Sequence, residues 1–350
     1  MDRSLFLIPA HNEQLHIGVC VQSVKRALVC GSGSRILVVA DNCTDETVTV
    51  ARAAGSEVIE RNDTANRGKP RAIAWALERV DLTLFEAIVI IDADTIVDAQ
   101  FVRSLLEWTP LASKVIQTYL GSSNEYETWL TRLAGVLTRG RYEVNYPLRQ
   151  HCGLNVPLTG NGMCIGTDIL RHDGWQAFSL TEDLELYARW TAQGIRIHYA
   201  PRARLYSQEA RSLHQSDTQR ARWAVGRLTV LRSYASQLII SCHIGPLQKL
   251  DALLELTLPG PVIQLALSLM LAATAFLLAP AGARPWLVAI VLSPMIPHVV
   301  TTAVVVARHP QPWQTLAAFV RLPIYMAWRV LLSARTMAFG VTEWRRTDRY

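Results

Sequence analysis

"EAIVIIDADT", residues 86–95, runs through a β-rich apolar stretch and stops on two carboxylates, Asp92 and Asp94, one residue apart. Alternate residues of a strand share a face, so a strand ending in Asp-x-Asp is expected to set both charges side by side. They repel unless a cation lies between or near them. A hard divalent ion, Mg²⁺ or Mn²⁺, takes carboxylate oxygens and keeps positions open for water or for substrate phosphates. The same pair also suits a solvated turn, and the neighbouring strand ends decide between the two readings.

Outward from this stretch, "LFLIP", "RILVVAD", "SEVIE" and "KVIQTYL" are further short strands, and residues 14–29, 45–54 and 68–80 have helical spacing. This rhythm predicts an α/β fold with a mostly parallel sheet covered by helices, in which ligands bind beyond the C-terminal strand ends. Those ends are polar. "PAHNE" supplies Pro9, His11, Asn12 and Glu13; "DNCTDET" supplies Asp41, with Asp45 placed to cap the next helix. "ANRGKPRAI" sets Gly68 and Lys69 at a helix start, where backbone N–H groups and a cation receive an anion. Singly these are a turn, a cap and a surface lysine. Converging on one sheet edge with Asp92 and Asp94, they describe a nucleoside diphosphate site. No Gly-x-Gly-x-x-Gly follows the first strand, which disfavours a dinucleotide oxidoreductase.

Residues 125–150 read as an amphipathic helix and 151–168, "HCGLNVPLTGNGMCIGTD", as a glycine-rich loop and strand. The next helix begins near "SLTEDLELYARW", where Ser179 or Thr181 can cap it. Glu182 and Asp183 lie at its N-terminus, where the helix dipole is expected to lower the Asp183 pKa and keep it ionised as a general base. A capping acid would occupy the same position. In "QRARW", Gln219, Arg222 and Trp223 stand at i, i+3 and i+4 of a helix, one face able to clamp a phosphate and stack on a sugar. A helix snorkelling its arginines beside a membrane is the competing reading.

The chain has 350 residues, half of them apolar, and a net charge of +6, with arginines crowded at 202–232 and at 345–349. Such clusters suit phosphates or an anionic membrane surface, and no nucleic-acid partner is expected. The six cysteines show no Cys-x-x-Cys pair, so neither a disulfide framework nor a zinc site is expected. "LFLIPA" is too short for a signal peptide or a span. Residues 258–280 and 285–307 carry no charged side chain and are long enough to cross the hydrocarbon. The later apolar run is interrupted by Arg321, Arg329 and Arg335, and reads as an interfacial helix or a third span, the interface being favoured.

In order, "PAHNE", "DNCTDET", "NRGK", "DAD", "TED" and "QRARW", followed by apolar helices and the ending "EWRRTDR", resemble the membrane-integrated family 2 glycosyltransferases. That group includes bacterial cellulose and hyaluronan synthases and ceramide glucosyltransferases. The resemblance implies a GT-A fold and an inverting transfer of sugar from a nucleotide sugar, usually a UDP-sugar. It also implies roles. Asp41 would contact the uracil, Asp92 the nucleotide and Lys69 the base and phosphates, while Asp94 and Asp92 would serve the metal. Asp183, with Glu182 beside it, would be the catalytic base. Gln219, Arg222 and Trp223 would hold the pyrophosphate and the acceptor end.

The expected organisation is a cytoplasmic GT-A domain at 1–235, an interfacial linker helix at 236–257, two membrane helices within 258–308, and an interfacial or third spanning helix with a basic tail at 309–350. The cytoplasmic membrane is the expected location. The acceptor is expected to be a polysaccharide or lipid-linked glycan, with a single-sugar glycolipid synthase or a non-catalytic nucleotide-sugar-binding partner as alternatives. Unlike the synthases, this chain has no apolar helix ahead of the motifs. Two or three spans make a narrow channel, so polymer export would need a homo-oligomer or a partner membrane subunit.

Overall fold

The computed structural model describes residues 3–28 and 33–339; the basic tail with "EWRRTDR", and Cys30, lie outside them. Eight strands are present among the described residues: β1 (Ser4–Ala10), β2 (Arg35–Asp41), β3 (Glu57–Arg61), β4 (Ala87–Ile90), β5 (Ile96–Val97), β6 (Val115–Ser122), β7 (Met163–Gly166) and β8 (Ile197–Ser207). They form one sheet in the order β3-β2-β1-β4-β7-β6-β8-β5. The first four run parallel, β7 is antiparallel to both β4 and β6, β8 is parallel to β6, and β5 is antiparallel to β8. The sheet is therefore mixed.

Strand alternation explains why both faces are covered. Leu5, Leu7, Leu37, Val39, Ile88 and Ile90 enter one core, whereas Phe6, Ile8, Ile36, Val38 and Val89 enter the other. Each such side chain, fully buried, contributes roughly 1.5–3 kcal/mol. The helices Ile17–Ala27, Thr47–Ala54 and Lys69–Leu77 are the crossovers between the parallel strands. Because Ala10 pairs with Ala40 and Leu7 with Ile90, the three polar strand ends emerge along the same edge.

The reversal at β7 brings a fourth segment there. Antiparallel pairing of Ile90 with Met163 puts the start of β7, and the "LTGNG" loop before it, beside the end of β4. Gly162 N–H donates to the Ile90 carbonyl at 2.9 Å, and Asp92 N–H to Asn161 Oδ1 at 3.2 Å.

Two local features differ from the sequence expectations. β4 stops at Ile90, and Asp92 to Thr95 form a turn closed by Thr95 N–H on the Asp92 carbonyl at 3.1 Å, so strand alternation does not orient the two aspartates. Pro9 lies inside β1, opposite Val39, as the "LFLIP" strand has it. The helix expected over 125–150 starts at Trp129, capped by Thr128 and Thr131, and is broken by a π-helical turn at Gly140–Asn145 before Tyr146–His151.

The long helix Leu213–Ile240 crosses the helix Glu182–Ala192 with Gly226 pressed on Thr181, 2.5 Å from where a Cβ would stand. Pro246–Thr257 then lays Ala252 and Leu256 into the first core. Beyond it, Pro261–Leu278, Arg284–Arg308 and Pro312–Ala338 are long and apolar enough to cross a membrane, with mean hydropathies of 2.0, 1.9 and 1.4. Their outward faces are apolar, and Trp286 and Trp313 stand exposed near helix ends, as at lipid interfaces.

Gly162 holds φ +68°, and a Cβ there would run into Thr118 Oγ1 and Leu205. Gly162→Ala is therefore expected to cost about 2 kcal/mol, from left-handed backbone strain and overpacking, and to lower the melting temperature of the detergent-solubilised chain.

Candidate active site

The first two loops are laced together. The Asn12 side chain accepts from Thr44 N–H at 2.7 Å and Glu13 N–H donates to Thr47 Oγ1 at 2.7 Å. His11 Nδ1 meets the Asp41 carbonyl oxygen at 2.7 Å. Asn12 and Asn42 both adopt positive φ, 54° and 52°, a region asparagine tolerates better than most residues. Asp41 is 5% exposed and bonded through Oδ1 to Arg61 at 2.5 Å, and Gly68 N–H lies 3.4 Å from its other oxygen. Arg61 also donates to Asp63 at 2.8 Å and to the Asn66 carbonyl at 2.6 Å, fixing the loop that leads to Lys69.

Lys69 is the centre. Its ammonium donates to Asp92 Oδ1 at 2.5 Å and to the Gly160 carbonyl at 2.5 Å, and lies 3.6 Å from Glu182 Oε1. Burial opposes its charge, but Asp92, then Glu182 and Asp183, together hold it above the ordinary lysine value. Gly160, at φ +75°, leaves the gap this needs: a Cβ there would stand 3.3 Å from Asp183 Oδ2 and 3.4 Å from Lys69 Nζ. The "DAD", "NRGK", "LTGNG" and "TED" segments thus meet around one ammonium.

Asp183 does not behave as a helix-terminal acid alone would. Leu184 N–H donates to it at 2.8 Å and Lys69 is near, yet burial first and Glu182 second push its pKa up to about 7. The expectation of a lowered pKa is overturned, because the dipole effect is smaller than the loss of water and the adjacent like charge. Nor does Thr181 or Ser179 cap the helix with its side chain: Glu185 turns back to accept from Phe178 N–H at 3.1 Å and Ser179 N–H at 2.9 Å.

Of the "QRARW" residues, Arg222 is within electrostatic range of this cluster: burial holds its guanidinium below the usual value against the pull of Glu182 and Asp92. Gln219 stands one turn before it on the same helix. Trp223 is 44% exposed, with the Arg220 guanidinium 4.9 Å from its ring centroid.

Asp92 is part-exposed and Asp94 nearly buried, and among the described residues no group of three or more His, Cys, Asp or Glu side chains is arranged around a metal. Two carboxylates in one turn fit a magnesium-type ion, which completes its shell with water and substrate phosphates; they do not fit a closed zinc site.

The "Glycosyltransferase like family 2" model matches residues 3–226. The chain belongs to this family. It is similar to the probable glycosyltransferase YdaM of Bacillus subtilis (strain 168), 26% identical over 241 residues, covering 66% of this chain and little more than half, 56%, of that relative. Among solved structures it resembles the mannosyltransferase PcManGT of Pyrobaculum calidifontis in complex with GDP-Man and Mn²⁺, at TM-score 0.55 and 14% identity, over 96% of this chain and 87% of that one. It also resembles S. aureus TarS 1-349 in complex with UDP-GlcNAc, at TM-score 0.53 and 14% identity, over 97% and 92%. At such identities these likenesses establish the fold, a family 2 α/β domain followed by candidate membrane helices.

Sequence reasoning missed Arg61, and it saw Gly160 only as part of a glycine-rich loop. An arginine closing a strand beside one that ends in Asp was the available signal for the first.

The raised Asp183 pKa has a measurable consequence. A carboxyl whose folded pKa lies above its unfolded value stabilises the fold at low pH and loses that contribution as pH rises towards 7. Asp183→Asn cannot ionise. Its melting temperature is expected to exceed that of the parent at pH 8, with the gap shrinking towards pH 5; a gap that does not vary with pH contradicts the assignment.

Proposed function

We propose that this family 2 glycosyltransferase moves a sugar from a nucleoside diphosphate sugar, with UDP as the nucleotide, to a hydroxyl of a membrane-associated acceptor, with inversion at the anomeric carbon. The observation that carries the reading is the Lys69 cluster, which holds the nucleotide-side carboxylate Asp92 and the acid pair Glu182 and Asp183 around a single glycine gap. A one-step displacement needs a base for the incoming hydroxyl on one side and charge stabilisation of the leaving diphosphate on the other.

Asp183 takes the acceptor proton. A carboxyl with a pKa near 7 is half ionised at neutral pH, which suits a base that must both accept and release a proton. Lys69 keeps Asp92 and Glu182 compensated, and Arg222, on the facing helix, receives the diphosphate. Asp92 and Asp94 would hold Mg²⁺ or Mn²⁺, which supplies positive charge to the diphosphate oxygens when bound. PcManGT is described with GDP-Man and Mn²⁺ and TarS with UDP-GlcNAc, which supports a nucleotide-sugar donor here.

The reading places the GT-A domain at the cytoplasmic face of the inner membrane with two spans, 261–278 and 284–308. The third apolar helix has the length to cross, but Ala318 and Tyr325 pack with Leu130 and Leu133, and Trp328 Nε1 donates to Asp217 at 3.0 Å. A helix that keeps touching the catalytic domain from 318 to 328 supports lying along the interface.

UDP release from a panel of UDP-sugars, with Mg²⁺ or Mn²⁺, tests the activity. Asp183→Asn is expected to lower kcat by about 10²- to 10⁴-fold while leaving UDP binding within about twofold. Full turnover by this variant eliminates the base, and no nucleotide-sugar turnover by the parent eliminates the reaction. Activity should rise with pH through about 7, following deprotonation of Asp183. Glu182→Gln removes a neighbouring negative charge, so this rising limb should move to lower pH.

A further inference from the structure

The turn that carries Asp92 and Asp94 is gripped at both ends by Asn161, a residue only 2% exposed. Asn161 Oδ1 accepts from Asp92 N–H at 3.2 Å, and its Nδ2 donates to Thr95 Oγ1 at 2.8 Å. A backbone N–H can only donate, so the Asp92 contact fixes which end of the amide is oxygen. Asp92 and Thr95 open and close the turn, whose own backbone bond runs from Thr95 N–H to the Asp92 carbonyl. The strands on either side are short, Ala87–Ile90 and Ile96–Val97. Their ladders do not reach Asp92 to Thr95, and the Asn161 amide spans that gap.

The loop behind this amide is itself immobilised. Gln117, wholly buried in β6, accepts Thr159 N–H on Oε1 at 3.0 Å and donates from Nε2 to the Asn161 carbonyl at 2.9 Å. The Tyr142 hydroxyl meets Thr159 Oγ1 at 2.8 Å, and the Tyr146 hydroxyl donates to the Pro157 carbonyl at 2.8 Å. Lys69 closes the circuit, since its ammonium bonds to both Asp92 Oδ1 and the Gly160 carbonyl, each at 2.5 Å. Buried polar groups satisfied in this way rigidify the segment that holds them. An amide at 161 also supplies an acceptor for the N–H and a donor for the hydroxyl without adding a third carboxylate to the aspartate pair.

We propose that Asn161 is a positioning residue for divalent-cation binding: it holds the Asp92–Thr95 turn so that the two carboxylates are set in place before the cation arrives. This rests on the reading of Asp92 and Asp94 as the cation's protein ligands, and it adds the residue that preorganises them. Without the amide, the cation must order the turn as it binds, and that ordering is subtracted from its affinity. Groups that orient metal-binding side chains govern affinity on the scale of 10- to 100-fold, roughly.

The test is equilibrium dialysis of tritiated UDP against the full chain in neutral detergent, in EDTA and across a series of Mn²⁺ concentrations. The midpoint of the Mn²⁺-dependent gain in UDP affinity reports the cation site. Asn161→Ala is expected to move this midpoint to about 10- to 100-fold higher Mn²⁺, with UDP affinity in EDTA within about twofold of the parent. A merely structural role lowers the melting temperature or weakens both constants together, and does not separate them. Thr95→Val removes the hydroxyl at nearly constant volume and should shift the midpoint in the same direction, whereas Thr95→Ser keeps the hydroxyl and should stay within about twofold of the parent. The threonine pair decides the matter even where Asn161→Ala does not fold. An unshifted midpoint in either Asn161→Ala or Thr95→Val, or an equal loss of UDP affinity in EDTA and in Mn²⁺, overturns the positioning role while Mn²⁺-dependent UDP binding by the parent stands. If the parent gains no UDP affinity from Mn²⁺, the reading of Asp92 and Asp94 as cation ligands fails, and the inference falls with it.

Discussion

One ammonium group makes the cleft tenable. Asp92, Glu182 and Asp183 converge from two distant parts of the chain, and without Lys69 between them they would meet as like charges with little water. At 3.6 Å an ion pair such as Lys69 with Glu182 is worth about 5 kcal/mol at an effective dielectric near 20, before desolvation is counted. The compensation is incomplete by design of the geometry: Lys69 bonds to Asp92 and reaches Glu182, but Asp183 sits across the Gly160 gap and carries the residual strain as a raised pKa. A carboxyl that is reluctant to ionise is what local electrostatics leaves behind when the neighbouring acids are served first.

The backbone makes this arrangement affordable only through glycine. Gly160 and Gly162 both hold positive φ; a Cβ at the first would crowd Asp183 and Lys69, at 3.3 and 3.4 Å, and one at the second would collide with Thr118. Their loop is positioned by the antiparallel turn of β7 against β4, so a change in strand direction in the middle of the sheet is what carries "LTGNG" to the aspartates.

Much of this was legible in the sequence because it follows from local periodicity. The alternation in "LFLIP" and "AIVIID" specified strands buried on both faces, and the helical spacing of 14–29, 45–54 and 68–80 recovered the crossovers within a few residues. Polar residues at the strand ends then marked the edge of the sheet where the site lies. What local reasoning could not supply was set by tertiary contact. Arg61 pairs with Asp41 across neighbouring strands, the π turn at Gly140–Asn145 leaves no periodic signature, and the sign of the Asp183 shift depends on burial by elements far away in sequence. The dipole argument was sound for an exposed helix end. Here it was outweighed by burial under the helix that carries Gly226.

The packing of that helix also joins the Lys69 cluster to the apolar helices. Leu213–Ile240 contributes Arg222 towards Asp92 and Glu182, Gly226 against Thr181, Arg227 to the carbonyls ahead of the first apolar helix, and Asp217 to Trp328 of the third. Across the cleft, the helix from Trp129 does the same through Gly140 against Thr301 and through Arg139 and His309, which both hold Glu125, at 2.8 and 3.0 Å. Glu125 is 5% exposed, and Gly135 gives it room, since a Cβ there would lie 2.5 Å away. A buried carboxylate shared between the catalytic domain and the apolar helices resists sliding of one on the other, because losing either partner strands a charge out of water. The helix that packs on Thr181 and the helix from Trp129 are therefore both fastened to the apolar helices.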